Sequence, residues 1–350
     1  MNAPAMLARL RTPQADGLVL RLTTLTPLYT GGIGQLGDQV HPSNLLGGIR
    51  QMSCLVARTL GDGEFEAAVW GNPGSGGNQA QAKQVALRWD TSRLERRVLP
   101  PEIRIARGDG GQNSRWWFNT GFEGELSLQL TRRGIAEPHW HLLALALAIQ
   151  LRHGSFGAKD QFGLGVLAPV DNAPLCAPLD VAAAWPKAIA AEPGRLNLLR
   201  YAYGRLRFRS AAGQRPSLNR AIALKLALAT RATLRNALRA RPDAAEPEKA
   251  RLTALRHQML GKLNLAGSAV NISAAYATAD GLELRLSVAL KPATAGERNE
   301  VRKAFSEAAG QVDSLIEDTG YRVDGQKISL DYGQAHAEAI PTWLNQLAGV

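Results

Sequence analysis

Leu126, Leu128 and Leu130 alternate with polar residues across positions 122–131, the period-two mark of a strand with one buried face. Positions 18–24 read as the first strand, and further strands fall around 83–89 and 103–107. Between the first two strands the pattern turns helical. His41-Pro42-Ser43 opens a helix with Ser43 as its N-cap, running through Arg50 to position 60. Its apolar positions Leu46, Ile49, Cys54 and Val56 leave Arg50 and Arg58 for a cationic face. A shorter helical piece over 64–70 stops at Gly71, and 72–78, rich in Gly, Pro and Ser, reads as a surface loop. A helix over 138–151 holds the longest apolar run, Leu142 to Leu151, which is too short to span a bilayer.

The second half repeats the mixture. A strand over 198–208 leads to helices over 217–239 and 247–260. Strands over 270–277 and 282–290 flank an Asp280-Gly281 hairpin turn. A helix over 296–316, a strand over 327–330 and a terminal helix follow. The β-α-β-β-α-β order in each half predicts an α+β fold: two ferredoxin-like (RRM-like) domains in tandem, the second with a helical insertion. The expected division is a first domain over 1–170, an Ala- and Pro-rich linker over 171–194, and a second domain over 195–350 with a basic helical insertion near 215–262.

Composition narrows the partners. The chain has 350 residues, 45% apolar and 20% charged, which is ordinary for a folded protein. Lys and Arg total 41 against 30 acids, for a net charge of +11, which directs attention to polyanions, with colloidal solubility as the alternative. Two cysteines far apart give no zinc spacing and suggest a reducing compartment, so a cytoplasmic location is expected. Much of the charge is concentrated over 215–262, with eleven basic residues against three acids. There Arg231, Arg235 and Arg239 recur every four residues, which predicts one helix face that an anion would relieve or that simply lies in solvent. A second basic group, including Arg104, Arg107 and Arg115, borders Trp116 and Trp117. Arginine beside an exposed aromatic is a stacking surface for unpaired bases, although a Trp pair also suits a core.

The segment from Arg152 to Val166 carries four glycines, Gly154, Gly157, Gly163 and Gly165, together with His153, Phe156, Lys159, Gln161 and Phe162. Glycine permits positive φ and close backbone approach, so such a loop can present its N–H groups to phosphates. It follows a helix and precedes a strand, the reverse of the dinucleotide-binding order, and it lacks the Gly-Lys-Ser/Thr ending of a P-loop. A phosphate-facing loop outside both patterns points to a polymer backbone.

Taken together, Leu25 to Gly32, His41 to Arg50 with Arg58, Glu66 to Gly71 ending in Trp-Gly, and the loop Gly154 to Val166 resemble the RAMP superfamily of CRISPR RNA-binding proteins. Within that superfamily they are most similar to first subunits of type III-B Cmr RNA-silencing complexes. The resemblance implies a non-catalytic RNA-binding subunit of a type III effector, contacting the guide RNA near its 3′ end and the paired target RNA. Carried over by position, it implies RNA contacts from His41, Arg50 and Arg58, and from Phe156, Lys159, Gln161 and Phe162. It also implies other effector subunits as partners; the short apolar run gives the separate expectation of no membrane partner. In place of the family's aromatic cluster after the helix arginine, this chain has Gln51-Met52-Ser53-Cys54.

Catalysis would need a base and an acid at the 2′-hydroxyl and the leaving oxygen. Of six histidines, only His41 and His153 are read as loop residues beside glycine, and hydrogen bonding to phosphate or sugar is their expected role. No carboxylate cluster or His-x-Glu spacing suggests a metal, and no cofactor is expected. Two competing readings are a stand-alone RAMP endoribonuclease that matures guide RNA and an assembly scaffold with little RNA contact.

Overall fold

The structure is a computed structural model describing residues 17–31, 39–74, 80–98, 120–157, 163–171, 196–211, 218–261, 268–289, 295–325, 328, 330–332 and 340–350. The leucine alternation builds the first sheet. Strands β1 (Gly17–Thr24), β2 (Val85–Asp90), β3 (Leu94–Val98), β4 (Thr120–Arg132) and β5 (Leu167–Pro169) are all antiparallel, in the order β2-β4-β1-β5. β3 continues the line of β2 along the first half of β4. Leu18, Leu20 and Leu22 of β1 pair with Leu130, Leu128 and Leu126 of β4, so both sets of leucines face the same layer of helices.

That layer is α1 (Pro42–Thr59) and α2 (Glu137–His153). α1 begins two residues earlier than expected: His41, not Ser43, is the N-cap, with no side-chain cap bond, and Pro42 takes the first helical position, where its missing N–H costs nothing. α2 is buried almost throughout 142–151, and the reason lies far along the chain. The C-terminal helix α6 (Ile340–Ala348) packs on it and adds Trp343, Leu344 and Leu347 to the first core. Leu198 and Tyr203 join the same core, and the Leu198 N–H donates to Thr59 Oγ1 at 2.9 Å. The expected boundary at 195 therefore separates sheets but not cores, because the last helix returns to the first domain.

The second sheet has the same topology. β6 (Tyr201–Ser210), β7 (Val270–Ile272), β8 (Tyr276–Ala277), β9 (Leu282–Ala289), β10 (Tyr321–Val323) and β11 (Leu330–Tyr332) form it in the order β10-β6-β9-β7, with β11 beside β6 and β8 beside β9. The Asp280-Gly281 turn closes the β8–β9 hairpin as expected, the Thr278 N–H donating to the Gly281 carbonyl at 2.9 Å. α3 (Arg220–Ala237) and α5 (Ala295–Ile316) cover one face, burying Leu226, Leu234, Val301, Phe305 and Val312 against Leu206, Phe208, Leu284 and Leu286. α3 occupies the first-helix position of a ferredoxin unit. The insertion accordingly narrows to α4 (Glu246–Leu260) and its connections. Two ferredoxin-like units in tandem, α+β throughout, is the architecture. Among the described residues, no helix is long and apolar enough to cross a membrane.

Candidate nucleic-acid interface

The α1 cations are organised around one carboxylate. Arg50 and Arg58 both donate to Glu66, at 2.9 and 3.2 Å, and Glu66 stands on the π-helical turn Glu66–Trp70. That turn is started by Asp62, whose Oδ1 accepts the N–H groups of Glu64 and Phe65. Burial pushes the Glu66 carboxyl up, but the hydrogen bonds and charges of Arg50 and Arg58 outweigh it and hold the group below its usual range. All three side chains are at least one-third exposed, so the ion pairs contribute at most about 1 kcal/mol each. His41 lies at the start of the helix, half-buried, its backbone N–H held by Thr30 Oγ1 at 2.8 Å. Thr30 also accepts from the Asn44 amide, through its carbonyl, and donates to the Gln39 carbonyl.

The glycine-rich segment is packed differently from the expectation. A Cβ on Gly157 would lie 2.4 Å from the Tyr29 carbonyl oxygen, and one on Gly165 would lie 1.9 Å from that of Phe156. One on Gly163 would meet the Ala274 nitrogen at 2.1 Å, across the junction with the second domain. All three glycines have φ between 81 and 86°. Their backbone is used as well: Phe156 N–H donates to Gly165, Gly165 N–H to Pro27, and Ala274 N–H to Gly163. These glycines admit neighbouring protein backbone, which explains them without a phosphate. Lys159, Gln161 and Phe162 lie outside the described residues, as do Arg104, Arg107, Arg115 and Trp116.

Two expected contacts are corrected. Phe156 is fully buried, edge-on to Trp89 with ring centroids 6.3 Å apart, so it is a core residue and presents nothing to a strand. His153 is not in a loop but ends α2. Its Nε2 lies 3.0 Å from the Leu347 carbonyl oxygen of α6, and its ring packs on Tyr203 at 4.8 Å. Burial, then the charge of Arg205, lowers its pKa to about 3, so the ring is neutral and donates to Leu347. The α3 arginines also separate. Arg239 lies beyond the end of the helix, and Arg235 is exposed. Arg231 is half-buried and donates to the Leu260 carbonyl at the end of α4, at 3.3 Å.

A network that the sequence reading passed over joins the two units. Arg285, 9% exposed, donates to the carbonyl of Leu151 at 2.6 Å and of Gly154 at 3.5 Å, closing the C-terminus of α2 with a cation. Its Nε donates to Tyr276 Oη at 3.0 Å, and that hydroxyl donates to Glu283 at 2.6 Å. Glu283, buried on β9, also receives Arg205 at 3.1 Å and Arg207 at 3.4 Å. Arg205 and Arg207 belong with Arg209 to an Arg-Leu-Arg-Phe-Arg run on β6, whose period-two spacing puts the three arginines on one face. Among the described residues, no group of three His, Cys, Asp or Glu side chains is placed to hold a metal ion.

No protein-family model and no curated protein matches the sequence. Solved structures do. One chain of a type III-B Cmr-beta complex bound to cognate target RNA aligns over 85% of this chain and 100% of its own length, with a TM-score of 0.51 and 11% identity. Cmr1 from Pyrococcus furiosus, in its apo form, aligns over 91% of this chain and 99% of its own, at a TM-score of 0.48 and 11% identity. At this identity the likeness to the Cmr-beta chain establishes a shared fold.

Proposed function

We propose that this chain is a non-catalytic, RNA-binding subunit of a type III CRISPR effector complex, supporting antiviral RNA silencing by contacting guide RNA near its 3′ end and the paired target RNA. The observation that carries the reading is the tandem ferredoxin fold, shared over 85% of this chain with a chain of an assembly bound to cognate target RNA. A net charge of +11 agrees with it, as does the placement of Arg50 and Arg58 on a surface carboxylate. The non-catalytic part is supported by His153, whose neutral ring is committed to Leu347 and is closed off as a general acid or base. The partners are guide and target RNA and the neighbouring subunits of the effector.

The test is a titration of the purified chain with labelled single-stranded RNA at increasing salt. Contacts to phosphate predict a log–log slope of about −0.7 per phosphate neutralised, so affinity should fall by orders of magnitude as salt rises. A flat response would sink the RNA-binding reading. The same mixtures, run on a denaturing gel with and without Mg2+, should show intact RNA; cleavage would refute the non-catalytic role.

A further inference from the structure

We propose that Arg205, Arg207 and Arg209 of β6 with Arg322 of β10 form a ladder that holds the phosphodiester backbone of an unpaired RNA strand as it passes the base of the glycine-rich segment. The proposal rests on the RNA-binding reading above and assigns it a surface that neither the sequence motifs nor the α1 cluster indicated. On β6 the arginines alternate with Leu206 and Phe208, which are buried beneath α3 and α5, so the guanidinium groups project from the opposite face of the sheet. Successive ladder positions are about 6.8 Å apart along the strand. Arg322 pairs directly with Arg209, widening the row at its outer end.

Packing does not explain these residues. Arg207 and Arg209 are 68% and 61% exposed, too open for their stems to be covering a core. Like charges facing each other across a strand pair are destabilising, and the second sheet accepts this twice, at Arg209 opposite Arg322 and at Arg205 opposite Arg285. Two carboxylates oppose the row among the described side chains: buried Glu283, shared by Arg205 and Arg207, and Asp324, 4.0 Å from Arg209. The positive path continues inward. Arg205 donates to the Arg152 carbonyl at 3.4 Å, and Arg285 reaches the carbonyl of Gly154. Burial, then the charges of Arg205 and Arg285, hold the Arg152 guanidinium below the usual arginine range, so three cations already crowd this end.

The chemistry of the face selects the occupant. A protein partner would want apolar surface at the centre of its contact. The exposed large hydrophobic residues among those described, Val19, Leu228 and Leu315, lie on β1, α3 and α5, and none is on this face. The tyrosines on the same face of β6 are at its inner end, Tyr203 buried and Tyr201 partly so, which leaves no aromatic platform along the exposed arginines among the described residues. A single row of planar donors without stacking partners suits one phosphate backbone and no particular base sequence.

The experiment titrates the full chain with a labelled oligouridylate over a range of salt concentrations. R207Q/R209Q/R322Q removes three exposed cations and should make the log–log slope shallower by about 2. R207K/R209K/R322K, which keeps the charge, should restore most of it. R298Q/R302Q/K303Q, an equal charge loss on α5 across the sheet, should leave the slope unchanged, with circular dichroism confirming that every variant is folded. If the ladder variant keeps the wild-type slope, or if the α5 variant loses as much, the ladder is refuted while RNA binding stands. Failure of the wild-type chain to bind at low salt would overturn both.

Discussion

Replacing Arg285 by methionine tests whether the two ferredoxin units are held together by a buried charge rather than by apolar contact alone. Methionine preserves the length of the stem and removes every donor. Three bonds end: those to the carbonyls of Leu151 and Gly154 and that to Tyr276 Oη. The Gly154 contact, at 3.5 Å, is too long to count for much. The 2.6 Å bond to Leu151 is charge-assisted and sits on a helix C-terminus, and loss of such a bond costs about 1.5–3 kcal/mol. Tyr276 loses a donor but still donates to Glu283, which keeps Arg205 and Arg207 and so is not left as a bare buried charge. The total is about 3 kcal/mol. Urea unfolding followed by tryptophan fluorescence should shift by that amount and should lose cooperativity, the second domain melting apart from the first. Lysine, with one compact ammonium group, should recover about half. A shift below about 1 kcal/mol for R285M with a single transition would refute the reasoning.

Three other perturbations follow from the geometry. His153 has its pKa lowered to about 3 from an ordinary 6.5, so as pH falls the unfolded chain takes the proton first. Stability is then fully present above pH 6.5 and is lost toward pH 3 at up to about 1.4 kcal/mol per unit; H153Q, which keeps a donor toward Leu347, should flatten that stretch of the stability–pH curve, and an unchanged curve would count against the buried neutral ring. Gly165→Ala places a Cβ 1.9 Å from the Phe156 carbonyl at φ +83° and should cost more than the roughly 1–2 kcal/mol of a left-handed residue alone, whereas Gly310→Ala, with open space on α5, should raise stability by about 0.5–1 kcal/mol, both read from thermal or denaturant melts.

The regular elements were legible because burial follows periodicity. Leu126, Leu128 and Leu130 turn one way on β4, and the predicted helices 138–151, 247–260 and 296–316 match the observed ones to within two residues. β3 was missed because Leu94-Glu-Arg-Arg-Val98 is short and charged, and it is a strand only because the first half of β4 needs a partner. Nothing local tells that Ile340–Ala348 belongs to the first core, since the helix that receives it lies about two hundred residues earlier. The alternation Arg205-Leu-Arg-Phe-Arg209 was readable in the same way as the leucines of β4. Its three cations stand out less than the denser basic stretch 215–262, where Arg231 has turned inward to Leu260.

Glycine illustrates why a site is harder to read than a fold. A backbone that must accept a phosphate and one that must accept another strand of protein both require a missing Cβ, and positive φ serves either. The sequence of the 154–165 segment is therefore the same under both demands, and only the arriving neighbour separates them. Here the neighbours are the carbonyl oxygens of Tyr29 and Phe156 and the nitrogen of Ala274. The last of these belongs to the second domain, so Gly163 fixes the segment at the junction, where Arg285 and Arg205 also reach across to the end of α2. The backbone at Gly157, Gly163 and Gly165 is closed off by these protein neighbours. It sets the position from which the β6 arginines are presented, so the affinity should reside in the cations and the glycines should act through stability.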